Sequence, residues 1–239
     1  MESKEKSIYK FMLLTYNTLN CDELSKVRED AKSFTGRGAV FVSKTKIVRI
    51  KENREVDIYN FDLNTQSNSI AEIKDVNRIF AGPIGNVIFS TDDSLVLYNI
   101  TTKKDVGKIP MKSEYKVKNA VWNKNSSMVA LVAKKAIHVM NKTLGKICTI
   151  SEKFNIKSLI WHGNVLIYTT INHLKFGLLN GDSGIIKCVD ENLKVIKIEG
   201  KSELRDNFEI LGEENKQLFS FFIFVFYTEL SFSNLIYYS

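Results

Sequence analysis

The chain has 239 residues, a formal charge of +7, and 44% hydrophobic against 26% charged residues. That balance excludes a disordered chain, which carries too little apolar surface to offset the entropy lost on ordering. Cys21, Cys148 and Cys188 are too few, too scattered and of the wrong parity for a disulfide framework or a short-spaced zinc site, and fit reduced cytosolic thiols.

The chain opens on the charged run Met1 to Lys6, and its first apolar stretch, Phe11 to Leu14, is too short for the core of a secretory signal. Sequons at Asn99, Asn125 and Asn141 are therefore expected to stay unglycosylated. An extra strand is expected near Phe11 to Tyr16. Beyond it, helical periodicity is scarce, and short runs rich in β-branched and aromatic residues alternate with Asn, Asp, Gly, Ser and Lys turns. The clearest predicted strands are Val40 to Val42, Val87 to Phe89, Leu95 to Tyr98, Val129 to Val132 and Leu166 to Tyr168.

These runs repeat. Phe41, Phe80, Trp122 and Trp161 each follow a small or β-branched residue, at separations of 39, 42 and 39 residues, the length of one four-stranded propeller blade. Two units align strand by strand. Ala120-Val121-Trp122, Val129 to Leu131, Ile137 to Val139 and Ile147 to Ile150 correspond to Leu159-Ile160-Trp161, Leu166 to Tyr168, Leu174 to Phe176 and Ile185 to Cys188. The predicted fold is all-β, a partial β-propeller of about four blades over residues 38 to 190. Because propellers commonly close with six to eight blades, four alone would leave apolar faces uncovered, and the isolated chain is expected to behave poorly unless it dimerises or lies beside further sequence. The predicted organisation is a partial blade and loop at 1–35, the partial propeller at 36–200, and an unclassified divergent tail at 201–239.

No residue is assigned a catalytic, cofactor or metal role. His138, His162 and His173 occupy different places in the blade pattern, and none has a Cys or carboxylate at ligand spacing. Asp182, between Gly181 and Ser183-Gly184, reads as a hairpin corner rather than a cation ligand. Trp122 and Trp161 read as repeated core residues rather than recognition aromatics. Lys134-Lys135 reads as a solvated turn, with a lipid headgroup or a partner as the alternative. The basic residues are spread as pairs, without the dense cluster of a nucleic-acid site. The Phe-rich tail, Leu218 to Tyr238, has the length of a membrane span, but Glu229 and several polar residues interrupt it, and a sticky strand-prone segment is the other reading.

Particular segments go beyond the repeat. Gly36 to Val42, Ile79-Phe80-Ala81-Gly82, Val129 to Ile137, Ile156-Lys157-Ser158, and above all Ile167 to Lys175 followed by Asn180-Gly181-Asp182-Ser183-Gly184-Ile185-Ile186 resemble the second, more carboxy-terminal propeller of the coatomer alpha-subunit family. The resemblance runs from Gly36 to Gly200. A related beta-prime subunit carries a similar tyrosine-threonine strand, but the Gly-Asp-x-Gly-Ile-Ile turn is similar to alpha.

The resemblance implies a cytosolic, non-enzymatic scaffold. In the family it assembles into heptameric coatomer with beta-prime and epsilon subunits, meets Golgi and vesicle membranes as part of the coat, and supports Golgi-to-endoplasmic-reticulum and intra-Golgi transport. It implies no cofactor, small-molecule substrate or nucleic acid. Family members read dilysine cargo signals with the first propeller, which has no counterpart here, so no binding residues carry over. From Lys201 onward the resemblance stops, and the expectation is an incomplete or misread product. Another propeller scaffold, such as beta-prime, and a basic nucleic-acid-associated β protein are the alternatives.

Overall fold

The computed structural model describes residues 9–12, 33–60, 65–69, 73–111, 115–189, 194–199, 206–214, 217–225 and 235–237. Its regular elements are strands. A hairpin, β1 (Tyr9–Met12) with β2 (Ser33–Gly36), precedes a series of four-stranded antiparallel meanders in which each strand pairs with the next in sequence. Blade 1 comprises β3 (Gly38–Phe41), β4 (Lys46–Ile50), β5 (Val56–Asn60) and β6 (Thr65–Ser69). Blade 2 comprises β7 (Arg78–Ala81), β8 (Asn86–Ser90), β9 (Ser94–Asn99) and β10 (Lys104–Pro110). Blade 3 is β11 (Asn119–Trp122), β12 (Met128–Val132), β13 (Ala136–Asn141) and β14 (Lys146–Ser151). Blade 4 is β15 (Ser158–His162), β16 (Val165–Thr169), β17 (His173–Gly177) and β18 (Ser183–Cys188).

All five strands predicted most clearly are present. The expected extra strand near Phe11 to Tyr16 begins earlier, at Tyr9, and residues 13–16 of that expectation lie outside the described residues. A fifth meander follows, its first strand β19 (Lys194–Glu199) inside the expected propeller segment and its other three, β20 (Asp206–Glu214), β21 (Gln217–Val225) and β22 (Leu235–Tyr237), in the region left unclassified. Among the described residues no helix is long and apolar enough to cross a membrane, and Gln217–Val225 is a strand. The chain divides into two compact units, Met1–Met111 with blades 1 and 2, and Lys112–Ser239 with blades 3 to 5.

Within each unit one sheet face meets the next sheet's face. Val48, Ile50 and Val56 of blade 1 close on Val87, Phe89, Val96 and Tyr98 of blade 2. Ala130, Val132, Val139 and Ile150 of blade 3 close on Leu159, Trp161, Leu166 and Tyr168 of blade 4. The middle strands are nearly continuous apolar runs, as sheets covered on both faces require, and each fully buried Leu, Val, Ile or Phe among them contributes roughly 1.5–3 kcal/mol.

Backbone geometry repeats more faithfully than the aromatic anchors do. The amides of Arg37, Asn77, Lys118 and Lys157 donate to the carbonyls of Ile50, Ser90, Val132 and Thr169 at 2.7–2.9 Å, so blades 1 to 4 start with the same bond at intervals of 40, 41 and 39 residues. Phe80 is out of step with the other aromatics. Pairing puts it opposite Ile88, on the face away from the blade 1–blade 2 core that holds Ile79 and Phe89. Phe41 likewise points away from that core on its own sheet, whereas the equivalent face of blade 2 points into it. Trp161 lies in the blade 3–blade 4 core, its Nε1 donating to the Val121 carbonyl at 2.8 Å. Trp122 shares that position in its blade but is only half-buried, and Phe41 is 56% exposed. The anchor marks a strand, and neighbours decide its burial.

Candidate interaction surfaces

The turn between the second and third strands does the same work in every described blade from 1 to 4. Its carbonyls receive the amides of the connector leaving the blade: Val76 to Arg54 at 3.2 Å, Met111 to Asp93 at 2.6 Å, Glu152 to Lys135 at 2.8 Å and Val189 to Asn172 at 3.0 Å. Blade 3 adds a second bond, Ile156 to the Lys134 carbonyl at 3.0 Å. Turn and connector therefore form one joined ridge on each blade, at the strand ends opposite the other two turns.

On blade 3 this ridge carries a buried polar tie that nothing in the sequence marks. The Glu152 carboxylate, next to the end of β14, accepts from the Tyr168 hydroxyl at 2.5 Å and from Lys175 Nζ at 2.6 Å, joining blade 3 to blade 4. Its side chain is 6% exposed. Burial, reinforced by the bond to Glu152, pushes the Tyr168 hydroxyl well above its ordinary pKa. The partners lie 16 and 23 residues away in sequence, too far for any local pattern to reveal.

The ridges of blades 1 and 2 are laced differently. Arg54, at φ +66°, reaches Asp92 at 3.4 Å and Asp75 at 3.9 Å, and Asn77 Nδ2 donates to Asp92 at 2.6 Å. Beside them a cavity of about 650 Å³ is lined by Asp75, Asp92 and Asp93 together with Lys74, Lys104 and Lys108. Charges of both signs line it, so it lacks the apolar floor with a few convergent polar groups that marks a small-molecule site. Inside blade 1, Arg49 grips Asp57 with two bonds, one from Nε at 2.9 Å, and also donates to the Thr35 carbonyl. That bond to Asp57 raises the guanidinium pKa.

The residues singled out in the sequence are dispersed. His138 is 2% exposed, its Nδ1 is 3.1 Å from Thr149 Oγ1, and its ring meets Tyr115 edge-on at 4.6 Å. His162 and His173 are half-buried on β15 and β17. Among the described residues no three His, Cys, Asp or Glu side chains come together as a metal site. Asp182 lies in the turn joining β17 to β18, where its amide donates to Asn180 Oδ1 at 3.0 Å and Gly181 takes φ +95°. Cys148 is buried, which raises its thiol pKa, and Cys188 is exposed; Cys21 lies outside the described residues. Lys134 and Lys135 are exposed.

The sequon asparagines have a conformational use. Asn99 Oδ1 accepts the amides of Thr101 and Thr102, Asn125 Oδ1 accepts the amide and hydroxyl of Ser127, and Asn141 Oδ1 accepts the amides of Thr143 and Gly145. These are side-chain-capped turns, which favour an Asn followed two residues later by Ser or Thr without any glycan.

A further repeat is a bulge in the outermost strand. Pairing skips Asn68 in β6, Val106 in β10, Ile147 in β14 and Ile186 in β18. Bulges twist an edge away from foreign strands, and they leave Val106 and Ile147 39% and 42% exposed.

Comparison with known proteins places this architecture. The family model described as the COPA/B second beta-propeller matches residues 3–204. Coatomer subunit alpha-2 of Arabidopsis thaliana is 32% identical over 180 residues, 74% of this chain and 14% of that protein. Coatomer subunit alpha of Saccharomyces cerevisiae is 31% identical over 195 residues, 81% of this chain and 16% of that protein. The match thus spans about a seventh of each curated relative. Among solved structures, a chain in the complex of KlAtg21 with the coiled-coil of AgAtg16 aligns over 87% of this chain and 72% of its own length, with a TM-score of 0.59 at 10% identity. A chain of the mitotic checkpoint complex aligns over 89% and 69%, with a TM-score of 0.57 at 12% identity. At such identities these two show a shared fold only.

Proposed function

The chain belongs to the COPA/B second beta-propeller family, and from that premise we propose that it acts as a structural, non-enzymatic part of the coatomer vesicle coat. In this reading it joins its neighbours through protein–protein contacts, with beta-prime and epsilon subunits as partners. It resides in the cytosol and peripherally on Golgi and transport-vesicle membranes, in support of Golgi-to-endoplasmic-reticulum and intra-Golgi transport.

The observation that carries the reading is the family match across residues 3–204, supported by identities of 31–33% to alpha subunits over about three-quarters of the chain. A stacked-sheet scaffold suits the role, since bulged outer strands and carbonyl-joined ridges offer surfaces for protein–protein contacts. We assign the propeller segment to residues 36–200, flanked by a partial blade and loop at 1–35 and a divergent tail at 201–239 whose described strands pair onto β19 of the propeller segment in the fifth meander.

Affinity purification of the tagged full chain from cytosol tests the proposal. Co-elution of beta-prime and epsilon coatomer subunits is the expected result. Recovery of the chain from an intact preparation with no coatomer subunit would contradict it.

A further inference from the structure

Three segments of the second unit come together at one end of blades 3 and 4. The β12–β13 turn, residues 133–135, is bonded to the connector 152–157 through Glu152 to Lys135 and Ile156 to Lys134. The connector in turn is bonded to blade 4 through the Lys157 amide and the Thr169 carbonyl, at 2.8 Å, where the β16–β17 turn, residues 170–172, begins. Lys134, Lys135, Lys153 and Lys157 on these segments are all exposed. Glu152 is their one carboxylate, and it is withdrawn from solvent by Tyr168 and Lys175. Two large apolar side chains stand among the lysines, Phe154 at 49% and Ile171 at 37% exposure.

We propose that this end of blades 3 and 4 is a docking surface for an anionic lipid bilayer. Lys134, Lys135, Lys153 and Lys157 outnumber the carboxylates of the adjoining segments, since Glu152 is neutralised by Lys175 and only Asp190 and Glu191 follow Val189 in the next connector, and the net positive charge complements acidic headgroups. Phe154, in the connector, and Ile171, in the turn, keep 49% and 37% of their surface open to solvent, so part of each is free to enter an interface. Projecting apolar tips suit a soft interface that admits them between headgroups, and charge plus insertion supplies the two signals that stable peripheral binding needs. An acidic protein partner would match the charge but not require the protruding Phe and Ile.

Flotation of the full chain with phosphatidylcholine vesicles, with and without about one third phosphatidylserine, tests this. The chain is expected to float with the serine-containing vesicles and release at high salt. The double variant K134S/K135S is expected to weaken binding roughly 25-fold, at about 5-fold per lysine. K153S/K157S serves as an independent second variant should the first melt early. Phe154→Ser should weaken binding while leaving its salt dependence unchanged. K124S/K142S, at exposed turns on the opposite strand ends, should leave binding within about two-fold. Failure to float with either vesicle, a loss for K124S/K142S as large as for the K134S/K135S and K153S/K157S variants, or capture by an acidic polypeptide in place of the vesicles would overturn the proposal. It stands on these residues and not on coat membership: a chain that co-purifies with coat subunits yet ignores vesicles overturns the docking surface alone.

Discussion

The turns joining second and third strands have one backbone plan in both units and opposite chemistry. In blades 1 and 2 the ridge segments 51–55, 73–77 and 91–93 hold Lys51, Arg54 and Lys74 against Glu52, Glu55, Asp75, Asp92 and Asp93, with Lys51–Glu55, Arg54–Asp75 and Arg54–Asp92 paired. In blades 3 and 4 the same places hold four exposed lysines, two exposed apolar side chains and one buried glutamate. Because main-chain bonds close the ridge on blades 1 to 4, most of its side chains, Glu152 apart, are not needed to hold it. What the turn faces can then set its charge.

The buried polar ties separate the two units most sharply. Arg49–Asp57 lies within blade 1, while Glu152 joins blade 3 to blade 4. Removing one partner of a nearly buried pair leaves the other charge uncompensated, so Asp57→Ala and Glu152→Ala should each cost about 3–5 kcal/mol in denaturant melts. Their reach should differ. Hydrogen exchange should quicken only in β4 and β5 for Asp57→Ala, but in β14, β16 and β17 together for Glu152→Ala; matching footprints within a single blade would break the comparison.

A smaller effect isolates Tyr168. Its folded pKa is raised, so below the unfolded tyrosine value of about 10 both states keep the proton and its contribution is complete. As pH climbs past that value the unfolded chain deprotonates first and stability falls. Tyr168→Phe should cost about 1 kcal/mol at neutral pH through the lost hydrogen bond and should flatten the alkaline decline. Melting curves across pH 8–11 for the two proteins check it; parallel curves would contradict the assignment.

The smallest effect belongs to Arg54, whose partners are 73% and 68% exposed. Arg54→Ala should cost about 0.5 kcal/mol or less, and the cost should vanish in high salt. A larger, salt-resistant loss would mean that the ridge of blades 1 and 2 depends on side chains after all.

Much of this fold was legible because blade strands are short β-branched runs between Asn-rich turns. Four blades over 38 to 190 could be counted from spacing alone. The face of each anchor could not be, since it depends on where pairing begins: Phe41, Trp122 and Trp161 lie four residues after the opening amides of Arg37, Lys118 and Lys157, but Phe80 lies three after that of Asn77. That one-residue offset puts Phe80 on the other face of its strand while nearly preserving its apparent period. The fifth meander was hidden by the polar sequence of β20, Asp206-Asn207-Phe208-Glu209-Ile210-Leu211-Gly212-Glu213-Glu214, which lacks a clean two-residue alternation. Lys134-Lys135 was visible as a pair, but its union with Lys153 and Lys157 depends on main-chain bonds between segments distant in sequence.

Amide hydrogen exchange at Arg37, Asn77, Lys118 and Lys157 tests the repeated blade most directly. Each of these amides closes the first pair of its sheet, so all four should exchange slowly, in step with the second strand of the same blade. Four amides exchanging as fast as exposed turn residues, while the second strands stay protected, would contradict the account.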